Sequence, residues 1–217
     1  MLSFLVSCDT VSSTGDRLRN RIGLAELEAF FGNAGRARAV YAAADGPGVT
    51  APFLRAWAMF EKRQGRLEDA VTLMARCTAL DPNDWGMWLH WGMAERRRQR
   101  YAAASNAFKR AAQIAPHQPS VWQAWAKSEA EAGNYGSARQ VYAQGDAAVP
   151  DSPALLLDWA LLEADMGDHK AARALFERGG EVKPVHAPLL QAWAAMEHDA
   201  GMQSEAARIE GLLGELS

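Results

Sequence analysis

The chain has 217 residues, 23 Lys and Arg against 26 Asp and Glu, and a formal net charge of −3. This length can bury a real core, and 49% hydrophobic with 23% charged residues is the composition of a folded chain, not of a disordered one or of a general polyanion-coating protein. Two cysteines, Cys8 and Cys77, are too few for a disulfide framework or a zinc finger, and the longest uncharged stretch, 111–126, is broken by Pro116 and Pro119 and makes no membrane span.

Residues 1–17 start with the apolar run Met1-Leu2-Ser3-Phe4-Leu5-Val6 and turn Ser/Thr-rich, with no basic flank. They fit no repeat and are expected to be a disordered or residual N-terminal segment. From residue 18 onward the chain is periodic. Trp57, Trp91, Trp125, Trp159 and Trp193 stand 34 residues apart. Glu61, Glu95, Glu129, Glu163 and Glu197 follow at the fourth position after each. Ala70, Ala104, Ala138, Ala172 and Ala206 follow at the thirteenth, and Pro82, Pro116, Pro150 and Pro184 recur at the same interval. Four series in one register define a structural repeat.

Each unit is predicted to hold two helices. The first carries an amphipathic stripe such as Trp122, Trp125, Ala126 and Glu129. Gly65, Gly133, Gly167 and Gly201 end that helix, with Gln99 in the same place in the third unit. The second helix carries Ala138, Arg139 and Tyr142, or Ala172, Arg173 and Phe176, and the recurrent Pro closes it. A weaker first unit reads Leu24, Ala25, Glu28, Gly32, Ala37, Arg38 and Tyr41, and the loop Asp45-Gly46-Pro47-Gly48 absorbs a one-residue shortfall. The units are about 18–50, 51–84, 85–118, 119–152, 153–186 and 187–217. Neither helix buries its stripe alone, so stacked units are required: an all-α solenoid. Glu210 stands where earlier units have an aromatic or Met, which suits a polar end unit or a piece of a longer array.

The run Trp122-x2-Trp125-Ala126-x2-Glu129, Ala138-x3-Tyr142, Pro150 resembles the tetratricopeptide frame, which implies a right-handed superhelix. One departure is systematic: Glu fills the first-helix position that usually holds Tyr. Together with Arg38, Arg139 and Arg173 after the Ala, this resembles the half-a-tetratricopeptide (HAT) repeat. The likeness covers about nine tenths of the chain, and Val71, Ser105 and Ala207 depart from it at the Arg position. The stretches Pro184-Val185-His186-Ala187-Pro188-Leu189-Leu190-Gln191-Ala192-Trp193-Ala194-Ala195-Met196-Glu197 and Ala171-Ala172-Arg173-Ala174-Leu175-Phe176-Glu177-Arg178-Gly179 look closest to chloroplast messenger-RNA maturation factors of plants and algae. The resemblance implies an RNA-processing factor that binds single-stranded RNA or scaffolds a ribonucleoprotein with protein partners. It points to the chloroplast stroma, with the nucleus as the alternative.

The five repeat Trp are read as core, while Trp85, outside their series, is read as lying in a link and exposed. The five Glu are structural, since one carboxylate per unit does not converge on a substrate. Glu129 and Glu163 are expected to bond to Arg139 and Arg173 within their own units. His90, His117, His169, His186 and His198 show no metal-ligand spacing, and no nucleotide, esterase or metalloprotease motif occurs. No catalysis, cofactor, metal, membrane contact or small-molecule substrate is expected.

Charge carries the functional reading. Residues 1–110 hold 16 Lys and Arg against 11 Asp and Glu, a net of +5, and residues 111–217 hold 7 against 15, a net of −8. In a tetratricopeptide-like solenoid a second first-helix stripe lines the inner groove. It carries Arg55, Met59, Lys62 and Arg63, then Leu89, Met93, Arg96 and Arg97, then Gln123, Lys127 and Glu131. Beyond these it carries Leu157, Leu161, Asp165, Gln191, His198 and Asp199. Arg55, Lys62, Arg63, Arg96, Arg97 and Lys127 are the expected phosphate contacts, Arg96 to Arg98 the densest cationic patch, and Gln123 and Gln191 the base-edge readers. The rival reading is a tetratricopeptide-like protein-interaction scaffold with no direct RNA contact, which the acidic second half favours.

Overall fold

The computed structural model describes residues 14–182 and 186–214. Those residues form twelve α-helices and no strand: α1 (Thr14–Phe30), α2 (Ala34–Ala44), α3 (Ala51–Arg63), α4 (Leu67–Leu80), α5 (Trp85–Arg97), α6 (Tyr101–Ile114), α7 (Pro119–Glu131), α8 (Tyr135–Ala148), α9 (Pro153–Asp165), α10 (His169–Glu181), α11 (Ala187–Asp199) and α12 (Gln203–Gly214). The chain is an all-α helical-repeat solenoid in which odd helices from α3 onward carry the Trp-Glu stripe, α1 has Leu24 and Glu28 in its place, and even helices carry the Ala stripe. Helix α1 starts at Thr14, four residues ahead of the repeat start read from the periodicity. Pro184 and Cys8 lie outside the described residues. Trp85 is not in a link: it is the first residue of α5 and half-buried.

The helices form two compact units, one up to Ala103 and one from Ala104 onward. In unit 1 the core is Tyr41, Phe53, Leu54, Phe60, Met74, Cys77 and Met87. In unit 2 a core cluster gathers Leu156, Ala160, Ala172, Phe176, Leu189, Leu190 and Trp193. Ala37, Ala70, Ala104, Ala138, Ala172 and Ala206 are all fully buried, and the absence of a larger side chain there lets the paired helices approach closely. At Gly145 even a Cβ would lie 2.8 Å from Cβ and Cγ of Trp122, so α8 and α7 touch through a bare backbone.

The turns inside the pairs share one geometry. Gly65, Gly133, Gly167 and Gly201 adopt φ of +75° to +79°. The residue after each glycine donates its backbone N–H to the carbonyl of the repeat Glu, as in Arg66 to Glu61 at 3.0 Å and Asn134 to Glu129 at 2.9 Å. The third unit makes the same bond, Arg100 to Glu95 at 2.9 Å, but forces Gln99 to φ +59°. A side chain there costs energy that glycine does not.

Replacing Gln99 with Gly should therefore raise stability by about 0.5–1 kcal/mol, read as an increase of a few degrees in the thermal midpoint. Gly145→Ala should lower the midpoint despite the ~1 kcal/mol helix preference of Ala, because Trp122 blocks the methyl. Gly211→Ala, in α12 with open space around it, should raise it.

Candidate functional site

Each repeat Glu serves a junction. Its side chain accepts from the indole Nε1–H of the Trp four residues earlier: Trp57 to Glu61 at 3.2 Å, Trp91 to Glu95 at 3.4 Å, Trp125 to Glu129 at 3.1 Å, Trp159 to Glu163 at 2.9 Å and Trp193 to Glu197 at 3.2 Å. Three of these carboxylates also take a forked guanidinium. Arg38 reaches Glu61 at 2.8 and 2.9 Å, Arg173 reaches Glu197 at 2.7 and 2.8 Å, and Arg139 grips Glu163. The partner is therefore the Glu of the following unit. Arg139 does not pair with Glu129, nor Arg173 with Glu163, and each bond ties one repeat to the next.

At these three junctions an aromatic ring from the Arg-bearing helix also stacks on the next Trp. The centroids are 5.9 Å apart for Tyr41–Trp57, 6.2 Å for Tyr142–Trp159 and 6.1 Å for Phe176–Trp193. The other two junctions lack the Arg, and there each Trp stacks on the Trp three residues before it in the same helix: Trp88–Trp91 and Trp122–Trp125. At α4 and α5, where Val71 replaces Arg, Glu95 is buried against Arg98, which donates at 3.0 Å and also holds Glu68. At α6 and α7, where Ser105 replaces Arg, the Ser Oγ accepts from Trp125 Nε1 at 2.9 Å. Glu129 there is met, among the described residues, by Trp125 and Asn134, and of these five Glu it is the one left half-exposed. A carboxylate is fully buried only where a guanidinium meets it.

The predicted phosphate contacts divide between the units. In unit 1, α3 and α5 bring cations together. Lys62 Nζ lies 3.2 Å from His90 Nδ1. An ammonium only donates, so His90 accepts there and carries its proton on Nε2. Burial, then the nearby Arg97, lowers the Lys62 pKa; burial, then Lys62 and Arg55, lowers that of His90, with Asp84 opposing. Arg55 is held by Asp84, whose other oxygen caps α5 through the Met87 N–H at 3.0 Å. Arg63 and Arg97 are exposed, and Arg96 is half-buried. Arg98 is no part of a surface patch, since it is almost enclosed between Glu95 and Glu68.

In unit 2 the same face is neutralised. Lys127 pairs with Asp158 at 2.9 Å. Gln123 gives its amide to the same carboxylate at 2.6 Å and to the Ala154 carbonyl at 3.1 Å, so it is not free to read a base. The position held by Arg63 and Arg97 in unit 1 becomes Glu131, Asp165 and Asp199 in unit 2. Sequence reasoning missed Phe30, which is 83% exposed and lines a cleft of about 390 Å³ with Glu26, Phe60 and Arg63. Its signal was its place 33 residues before Arg63, in the same series. No cluster of metal-ligating side chains occurs among the described residues.

A two-helix unit carrying Trp, Glu, Gly, Ala-Arg and an aromatic, tied to the next by a buried carboxylate, defines a tetratricopeptide-like repeat protein. The model of the PRP39 C-terminal HAT repeat matches residues 53–164, and the chain belongs to that family. No curated protein matches it. Among solved structures it is similar to PilF of Pseudomonas aeruginosa, with 16% identity, a TM-score of 0.64 and 94% of each chain covered. It is also similar to a tetratricopeptide repeat protein from Parabacteroides merdae, with 16% identity and a TM-score of 0.67 over 91% of this chain and 79% of that one. The MamA protein gives 14% identity and a TM-score of 0.58 over 74% and 88%. At such identities these structures speak to the fold alone.

Glu197→Gln should cost about 1–2 kcal/mol, because the fully buried carboxylate loses its charge-assisted bonds while the Arg173 side chain, 36% exposed, is partly rehydrated. Glu129→Gln, where no guanidinium is lost, should cost less than about 1 kcal/mol. Both are read from thermal unfolding by circular dichroism. Arg173, then the Trp193 indole, holds the Glu197 carboxyl below the usual carboxylate range against the effect of burial. Its contribution is thus complete above about pH 5 and lost as pH falls through the depressed folded value. Glu197→Gln should flatten that acid limb of the stability profile.

Proposed function

We propose that this HAT-repeat scaffold is an RNA-processing factor that works within a ribonucleoprotein and holds single-stranded RNA against the α3–α5 face of unit 1. The observation that carries this reading is the run of basic groups on α3 and α5: Lys62 lies against His90 and near Arg97, and Arg55, paired with Asp84, lies near His90. Burial first, and neighbouring cations second, lower the Lys62 and His90 pKa values, and a phosphate docked there supplies counter-charge that favours their protonated forms. Arg63 and Arg97 extend the cationic surface, and the exposed Phe30 ring beside Arg63 offers a stacking face for a base. The HAT resemblance supports RNA metabolism as the setting, with messenger-RNA maturation or stabilisation as the role. On this reading the protein acts sterically, by shielding a segment from nucleases or keeping it unfolded. The chloroplast stroma is the proposed compartment, with the nucleus as the alternative.

The arrangement of unit 2 favours a second reading for that part of the chain. Lys127 and Gln123 are engaged by Asp158, and the acidic series Glu131, Asp165 and Asp199 repels a polyanion. This half suits a protein partner.

Fluorescence anisotropy of a labelled oligouridylate across a salt series tests the RNA reading. Wild type should bind with a log–log salt slope of about −2 or steeper, which at roughly 0.7 per phosphate means three or more contacts. Arg63→Glu/Arg97→Glu, at exposed positions, should weaken binding about tenfold or more with unchanged helicity. Binding should also strengthen as pH falls and His90 takes up its second proton. Wild-type protein that fails to bind at low salt would leave the protein-scaffold reading in its place.

A further inference from the structure

Two ion pairs close the seam between successive even helices elsewhere in the protein. Arg76 of α4 bonds the Asp45 carboxylate at the end of α2 at 2.6 and 2.9 Å. Arg178 of α10 bonds Asp146 of α8 at 2.6 and 2.8 Å, and also reaches Asp151. One repeat earlier than Arg178 and Asp146, the same two places hold Gln144 and Ala112. The seal is missing there, and a cleft of about 560 Å³ opens across α6, α7 and α8. Trp122 and Trp125 form part of its wall, stacked on each other with centroids 6.0 Å apart, and Lys109, Gln113 and Gln144 line it too.

The surroundings say what fits. Among the described residues, the cations of unit 2 other than Lys109, Arg110 and Lys170 are already in ion pairs. Lys109 lines the cleft, and Arg110 beside it bonds Gln113 at 3.3 Å. This rim is an island of unmatched positive charge in the acidic half of the chain. The floor does not suit a nucleobase: Trp122 is only 7% exposed and gives its Nε1–H to the Pro116 carbonyl at 2.7 Å, so it offers no open indole face. Ala112, Ala148 and the indole edges instead make a seat for an aliphatic side chain.

We propose that the α6–α7–α8 cleft is a docking site for an acidic peptide segment with a bulky aliphatic anchor. The anchor fills the space over the Trp pair, the peptide's carboxylates meet Lys109 and Arg110, and the Gln113 and Gln144 amides bond its backbone. The site is independent of the RNA reading of unit 1.

The probe is a fluorescein-labelled peptide of about twelve residues alternating Leu with Asp and Glu, compared with one in which Lys replaces every acid. Wild type should bind the acidic peptide and not the basic one. Ala112→Asp/Gln144→Arg, which installs the seal present at the α2–α4 and α8–α10 seams, should weaken binding at least about tenfold while retaining helicity. Ala147→Glu, at an exposed position on the rim, should weaken it by repulsion with no change in the core, and so covers the case in which the sealed variant misfolds. Wild type that ignores the acidic peptide, equal binding of both peptides, or undiminished binding by the folded sealed variant and by Ala147→Glu would each overturn the proposal. Oligouridylate that competes for this cleft in wild type and is lost in the sealed variant would replace the peptide with a nucleic acid.

Discussion

A carboxylate inside a helical repeat is tolerable only where its charge is met, and that requirement organises this protein. Glu61, Glu163 and Glu197 are buried because an arginine from the preceding unit reaches each of them and a tryptophan of their own helix donates to them. The same glutamates give their backbone carbonyls to the turns that follow. One residue thus fixes the end of its helix, the position of the ring one turn earlier and the approach of the helix before it. Where the arginine is absent, the structure either finds another cation, as Glu95 does in Arg98, or leaves the carboxylate partly in water, as at Glu129. The ring stacking changes with it: the tryptophan turns from its neighbour's aromatic to the Trp of its own helix.

Much of the architecture was legible in the sequence because its determinants are local and recur. The Trp stripe, the small Ala and the turn Gly each act within one helix pair, so a 34-residue period displays them directly. The partner of each arginine was not legible. In a periodic chain Arg139 stands ten residues after one Glu and twenty-four before the next, and the pattern is the same either way. Only the packing of the even helix against the following odd one decides for Glu163. The engagement of Lys127 and Gln123 was hidden for a related reason. Asp158 departs from the small or basic residues at its place in other units, and its effect falls one helix away. The cleft over Trp122 was invisible because it arises from an absence, Ala112 and Gln144 where the α2–α4 and α8–α10 seams have Asp and Arg.

The charge asymmetry of the chain is also uneven in how it is used. In unit 2 most positive charge is consumed in internal pairs, so its net acidity stands at the surface, apart from the island beside the cleft. In unit 1 Arg63 and Arg97 stay exposed and Lys62 and His90 crowd each other. The two halves therefore present opposite chemistry from nearly the same scaffold, and a side chain such as Phe30 gains meaning only from the cations beside it.

The offset of the arginine clamp bears on how such an array can lengthen or shorten in evolution. Because every clamp is split across two repeats, a repeat is heritable as a module only if its neighbours supply the missing halves. Loss of the fifth unit would bring Arg139 against Glu197 and regenerate the clamp. Loss of the fourth would bring Ser105 against Glu163 and strand a carboxylate with no guanidinium. The stretch from α8 to α11 is thus free to expand and contract by whole units, while the unit after Ser105 is held in place by the side chain its predecessor lacks.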